Sequence, residues 1–350
     1  MKKNIFALLL AAILLLSGCN SWLGGHYASV NPFEEQDFRP QQAVLKPKNY
    51  EDIVRILINM IHTGQQSRTI SMEQMQGKWR EIVDKAVNYV GNVYPMGVYA
   101  IMDIAYQITE NEDIPAMTVE IAYHRSIAEI GAVETTEDED EIIAAIQQAL
   151  RNVNMKVAFY VKNEYEIDFS KVILEYAMMY PQYVMEVPRV SMASYPKVGE
   201  ERIVELNFSY DTNRTVLLQM QDQVNPIFNA AKIVSGEGTA VGKYTRLYSF
   251  LMNYHEYTIQ TSITPAYSLL YSGIGDSKSF AMVYSAMCRQ AGLDSKVISG
   301  TYEGKAWHWN MVRIDEEIYY IDLLQCREQG RFSYLTEDEM HGYVWENTVY

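Results

Sequence analysis

The sequence predicts an α+β protein, and three features of it carry that prediction. Amphipathic helical segments and short strands interleave along the chain. One order of elements (helix, strand, helix, hairpin) occurs twice, and a third segment runs from an apolar helix into consecutive strands. The expected organisation is a signal at residues 1–18, a tether at 19–48, two repeated α+β modules at 49–125 and 139–214, and a further α+β domain at 243–350.

The amino terminus opens with Lys2 and Lys3 and continues as an unbroken apolar run over residues 5–16. Such a run falls short of the roughly 20 residues that a membrane-spanning helix needs, and its basic start and small-residue end are those of a secretion signal. The run closes on Leu16-Ser17-Gly18-Cys19, which resembles the lipobox of bacterial lipoproteins. That resemblance implies cleavage before Cys19, a diacylglyceryl group on its thiol, and a protein lipid-anchored to the outer face of a bacterial membrane. Two acyl chains suffice for stable attachment. Residues 20–48 hold Gly24-Gly25, Pro32, Pro40 and Pro47 with little periodicity, as a tether does.

The first module starts with the amphipathic stretch Asp52-Ile53-Val54-Arg55-Ile56-Leu57, matched in the second by Glu141-Ile142-Ile143-Ala144-Ala145-Ile146. A strand follows in each, at residues 68–72 and 156–161. A second helix then reaches Tyr94-Pro95 or Tyr180-Pro181, and a hairpin closes on Tyr123 or Tyr210. Between the modules, the acidic run 134–141 lacks the alternating ligands and turn glycine of a calcium loop. Thr136 and Glu139 read instead as a capping box. Past the second module, Pro226, Gly236, Gly238 and Gly242 mark a junction, with a short helix expected over 221–233.

Composition narrows the function. Nearly half the chain is apolar, and the net charge of −15 falls to −17 once Lys2 and Lys3 leave with the signal. An acidic body is a poor partner for nucleic acid, which proteins meet with clustered Lys and Arg. Cys288 and Cys326 remain after Cys19, able to form one disulfide outside the cell but without zinc-like spacing. No cofactor and no metal is expected.

The last segment carries the chemistry. A helix is expected to begin near Gly275-Asp276-Ser277 and stop at Gly292, followed by strands at 296–299, 306–314 and 318–322. Ala281, Ala291-Gly292-Leu293, Trp309-Asn310, Val312 and Tyr319-Tyr320-Ile321-Asp322 fall in an order that resembles the transglutaminase-like superfamily, whose fold is that of papain-type cysteine proteases. The resemblance covers residues 243–325. It implies a thiol at the helix N-terminus, where the dipole favours thiolate, a strand histidine that takes its proton, and an aspartate that orients the ring. The implied chemistry is acyl transfer through a thioester.

At two of those three positions the sequence departs from the family. Ser277 stands in the place of the cysteine and Trp307 in the place of the histidine; Asp322 alone is kept. Ser277 reads as a helix cap. His308 lies one residue beyond Trp307, so on a regular strand it points to the other face, and only a bulge brings it round. Cys288 sits on an apolar helix and reads as inert, whereas Cys326 follows Asp322 closely. The expected role is therefore binding, in a groove lined by Ser277, Trp307, His308 and Asp322 and suited to an envelope peptide, glycan or protein. Two alternatives stay open: an acyltransferase or peptidase using Ser277 or Cys326 with His308 and Asp322, and a structural spacer of an envelope complex.

Overall fold

A computed structural model describes residues 46–111, 114–162, 167–253 and 255–346. The signal, Cys19 and all but the end of the tether lie outside these residues. The fold is α+β.

The first unit begins with α1 (Tyr50–Thr63), capped where Asn49 accepts from the Asp52 amide, and ending at Gly64 in the left-handed region. Its apolar stripe, Ile53, Ile56, Leu57, Met60 and Ile61, is buried. Then come β1 (Ser67–Ser71), α2 (Trp79–Asn92), the short α3 (Pro95–Ala100), β2 (Ile101–Asn111) and β3 (Ile114–Tyr123). The strands form an antiparallel sheet in the order β1-β3-β2.

After α4 (Ile127–Gly131) and β4 (Glu134–Thr135), the second unit comprises α5 (Glu139–Arg151), β5 (Lys156–Val161), α6 (Phe169–Met179), β6 (Arg189–Tyr195) and β7 (Arg202–Ser209). Its sheet runs β4-β5-β7-β6, with β7 antiparallel to both β5 and β6 as β3 is to β1 and β2. One face carries Val157, Phe159, Val161, Val204, Leu206 and Phe208 against α5 and α6. The other receives α3, where the Tyr99 hydroxyl donates to buried Glu205 at 3.1 Å and Arg125 pairs with the same carboxylate at 3.0 Å. The cap of α5 differs from the expected capping box. Asp138 accepts from the Glu141 amide, because the Thr136 hydroxyl is turned inward and donates to the Tyr160 carbonyl.

The expected short helix at 221–233 is the middle of a 22-residue helix, α7 (Arg214–Ser235). Pro226 is tolerated inside it: a proline removes one backbone hydrogen bond, and here burial on both sides of it outweighs that loss. Leu217, Val224, Phe228 and Ala231 belong to the same core as Tyr244, Phe280, Val283, Val312 and Ile314. The third core therefore starts ahead of residue 243. It continues through α8 (Ala240–Met252), β8 (Glu256–Tyr257), α9 (Pro265–Ser272), β9 (Ile274–Gly275) and α10 (Ser277–Gln290). The closing sheet has β10 (Ser295–Tyr302), β11 (Lys305–Ile314), β12 (Glu317–Ile321) and β13 (Tyr343–Val344) in the order β12-β11-β10-β13, with α11 (Leu323–Glu328) following β12. Among the described residues, no helix is long and apolar enough to cross a membrane.

Candidate functional site

α10 is buried along almost its whole length and packs on β10 and β11. Asn310 on β11 donates its side-chain N–H to the Ala281 carbonyl at 2.8 Å, which ties strand to helix in the middle of the core. Ala281 is small enough to admit that approach. At the start of the helix, a Cβ on Gly275 would come within 2.9 Å of both Leu269 and Ser279, so the chain passes where no side chain fits.

Ser277 is not the cap. That role belongs to Asp276, whose carboxylate accepts from the Ser279 amide at 2.9 Å, the Ser279 hydroxyl at 2.6 Å and the Thr261 hydroxyl at 2.9 Å. An aspartate offers two oxygens and full charge to the helix start, and it lies one residue earlier. Ser277 becomes the first helical residue, buried, and its hydroxyl bonds to no described residue.

Trp307 donates its indole N–H to Asp322 Oδ2 at 2.6 Å. The Tyr343 hydroxyl donates to the same oxygen at 2.8 Å. Oδ1 accepts the amides of Leu324 at 2.9 Å and Gln325 at 3.1 Å, capping α11. Burial pushes the Asp322 carboxyl up, and these four donors pull it partly back. Trp307 thus takes the contact that an imidazole makes in the family pattern, but an indole N–H only donates.

His308 lies on the opposite strand face, the one shared with Asn310, Val312 and Ile314 and turned towards α10. The ladder from Tyr302–Lys305 to Ser295–Val312 is unbroken, so no bulge reverses it. Ser277, Phe280 and Ala281 meet His308 in a crevice that has no room for a water molecule. Burial lowers the imidazole pKa, Lys278 lowers it further, and Asp276 opposes both. The ring is hydrogen-bonded to neither Ser277 nor Asp322.

The two cysteines are free and buried rather than joined in a disulfide. Burial drives the Cys288 thiol far up. Cys326 is held by Ser333, donating to its carbonyl at 3.2 Å, and burial raises its thiol as well. Among the described residues, neither thiol is hydrogen-bonded to a histidine or a carboxylate.

The open groove of the domain, about 570 Å3, lies beside Trp307 and is lined by Glu256, Tyr257, Leu324, Gln325, Arg327 and Glu328. The rings of Tyr257 and Tyr302 stand 5.7 and 6.2 Å from the Trp307 ring. Of the four residues expected to line a groove, Trp307 alone lines this one; Ser277, His308 and Asp322 line the closed crevice. Tyr257, Tyr343 and Asp276 were not legible as site residues. Asp276 lay within reach, since aspartate before a helix is a strong cap signal. Among the described residues, no group of three or more His, Cys, Asp or Glu is placed to hold a metal.

Residues 229–325 match the family model of the transglutaminase-like superfamily. Among solved structures, a TGase is similar at 11% identity and a TM-score of 0.27, over 62% of this chain and 63% of that one. A proposed protease from Parabacteroides distasonis is 10% identical with a TM-score of 0.25, over 73% of this chain and 39% of its own. A proposed cysteine protease from Cytophaga hutchinsonii is 10% identical with a TM-score of 0.27, over 46% of this chain and 71% of its own. The chain spans less than two-thirds of the length of the first two. No curated protein matches.

Proposed function

We propose that the transglutaminase-like domain of this protein is a binding module without acyl-transfer activity, carried outside the cell by lipid on Cys19. The observation that carries the reading is the hydrogen bond from Trp307 to Asp322. The aspartate that would orient a catalytic imidazole holds an indole, which neither takes nor returns a proton at neutral pH. The groove beside it is broad, open and aromatic, and tryptophan with tyrosine is a common recognition pairing. A peptide, glycan or protein of the cell envelope is the ligand class that this location and lining suit.

The experiment uses residues 20–350, which retain every described residue. Titration of envelope peptides and glycan fragments, followed by tryptophan fluorescence, should give saturable binding that Trp307→Ala removes. Binding that survives Trp307→Ala moves the ligand elsewhere. For the anchor, cells fed radioactive fatty acid should label the wild type and not Cys19→Ser; equal labelling ends that part of the reading.

A second reading is favoured by one observation. Ser277 and His308 line the same crevice, and the imidazole is held in its neutral, basic form. A serine enzyme built on that pair would be labelled at Ser277 by a fluorophosphonate and silenced by His308→Ala.

A further inference from the structure

Three elements wall the Trp307 groove: Glu256 and Tyr257 come from β8, Trp307 from β11, and Arg327 and Glu328 from α11. Among the described residues, the side-chain carboxylates of Glu256 and Glu328 accept no hydrogen bond and pair with no cation. Arg327, the cation of this lining, gives its guanidinium to the His255 carbonyl at 2.9 Å and pairs with neither of them. The lining therefore carries two negative charges against one positive, on a chain whose net charge is −15. Burial raises the Tyr302 phenol, and Glu303, Asp322 and Glu328 raise it further, so the negative field continues round the aromatic wall.

Trp307 supplies a second, separate attraction for a cation. The face of an indole is the negative part of its quadrupole, and cations settle within about 6 Å of the ring centre. Its N–H donates to the Asp322 carboxylate at 2.6 Å, a bond that polarises the ring and makes its face more negative. Tyr257, 41% exposed, stands 5.7 Å from that ring and widens the surface. An anionic ligand is repelled here, and a neutral one stacks without using the charge of either carboxylate. A guanidinium uses both features. It is planar and weakly hydrated, so it stacks on a ring face, and its edge keeps donors free for more than one carboxylate.

We infer that this groove takes an arginine side chain presented by a peptide segment of another protein, with the guanidinium stacked on Trp307 and its donors turned to Glu256 and Glu328. The inference rests on the reading of the Trp307 groove as a binding site and names the group bound there.

The test titrates residues 20–350, by calorimetry, with short peptides identical except for arginine, citrulline, lysine or glutamate at the centre. The arginine peptide should bind saturably. Citrulline keeps the shape and loses the charge, and should bind at least about tenfold more weakly, the combined scale of one exposed cation–π contact and two exposed charge pairs. Lysine should fall between the two, and glutamate should not bind. Glu256→Gln with Glu328→Gln, both at exposed positions, should weaken the arginine peptide by about fivefold and leave citrulline unchanged. Arg327→Gln removes the competing cation and should tighten arginine binding. Equal affinity for arginine and citrulline overturns the inference; loss of that shared binding in Trp307→Ala would still leave the groove a site for uncharged ligands. Arginine affinity unchanged in the double variant, or matched by lysine, also overturns it. Arginine binding that survives Trp307→Ala overturns both this inference and the reading of the groove. Absence of binding by every peptide overturns the inference alone if a glycan fragment binds through Trp307, and both readings if none does.

Discussion

Trp307 gives its only side-chain polar hydrogen to Asp322, and that carboxylate already holds two backbone amides and a tyrosine hydroxyl. The group that would orient a base is thereby a structural hub joining β11, α11 and β13. Trp307→Phe keeps a ring but removes the donor. Hydrogen bonds to charged groups are worth about 1.5–3 kcal/mol, so we expect a loss near the lower end of that range, since three donors remain. Urea denaturation with an unchanged slope measures it; a change within error would mean that water replaces the indole.

Asp276 and Ser277 should respond to alanine in the opposite order from their rank in the family pattern. Asp276→Ala strips three hydrogen bonds from the start of α10 and should cost about 1–2 kcal/mol, the upper range for a helix cap. Ser277→Ala removes a hydroxyl that bonds to no described residue and should stay within about 0.5 kcal/mol of wild type. Equal losses would restore Ser277 as a cap.

These two outcomes bear on what the sequence made legible. The buried stripe of α1 follows from the periodicity of its apolar residues. The length of α7 was hidden because Pro226 reads locally as a breaker, while the core on which the helix packs comes from α8, α9 and α10. Tyr343 was hidden because it reaches Asp322 from 21 residues away, through a loop without periodic signal. That the partner of Asp322 is an indole with a phenol beside it was not legible either.

His308 should remain neutral at neutral pH and take up its proton below the ordinary imidazole value of about 6.5. The sign follows from the causes: burial and Lys278 disfavour the cation, and Asp276 only partly offsets them. As pH falls, the unfolded chain binds this proton first, so the contribution of His308 to stability is present above pH 6.5 and lost below it. NMR titration of the imidazole should show the lowered midpoint, and Lys278→Ala should raise it. A midpoint above the ordinary value would contradict the placement of His308 against α10.

Arg125 and Glu205 form a mostly buried pair where the first unit meets the second sheet, with Tyr99 donating to the same carboxylate. Arg125→Met leaves that carboxylate without its cation and should cost about 3–5 kcal/mol. Adding Glu205→Leu should recover most of the loss, because the pair's attraction largely offsets its own desolvation. Denaturant unfolding of the single and double variants gives the coupling directly. Additive losses would show that the two residues act separately.

The final prediction restores the family residues at both departures. Ser277→Cys alone places a thiol at the first position of α10, where the dipole favours thiolate but no base is bonded to it. Trp307→His alone should give an imidazole oriented by Asp322, since the strand already directs position 307 at that carboxylate across 2.6 Å. Together they supply a thiol, a base and an orienting aspartate, and the thiol should react with iodoacetamide near neutral pH. Ser277→Cys alone should react only towards the ordinary cysteine value of about 8.5. The pH dependence of alkylation in the two variants reads the difference, because it follows the thiolate fraction. Matching profiles would mean that position 307 does not face position 277, and would remove the geometric basis for equating these residues with a catalytic pair.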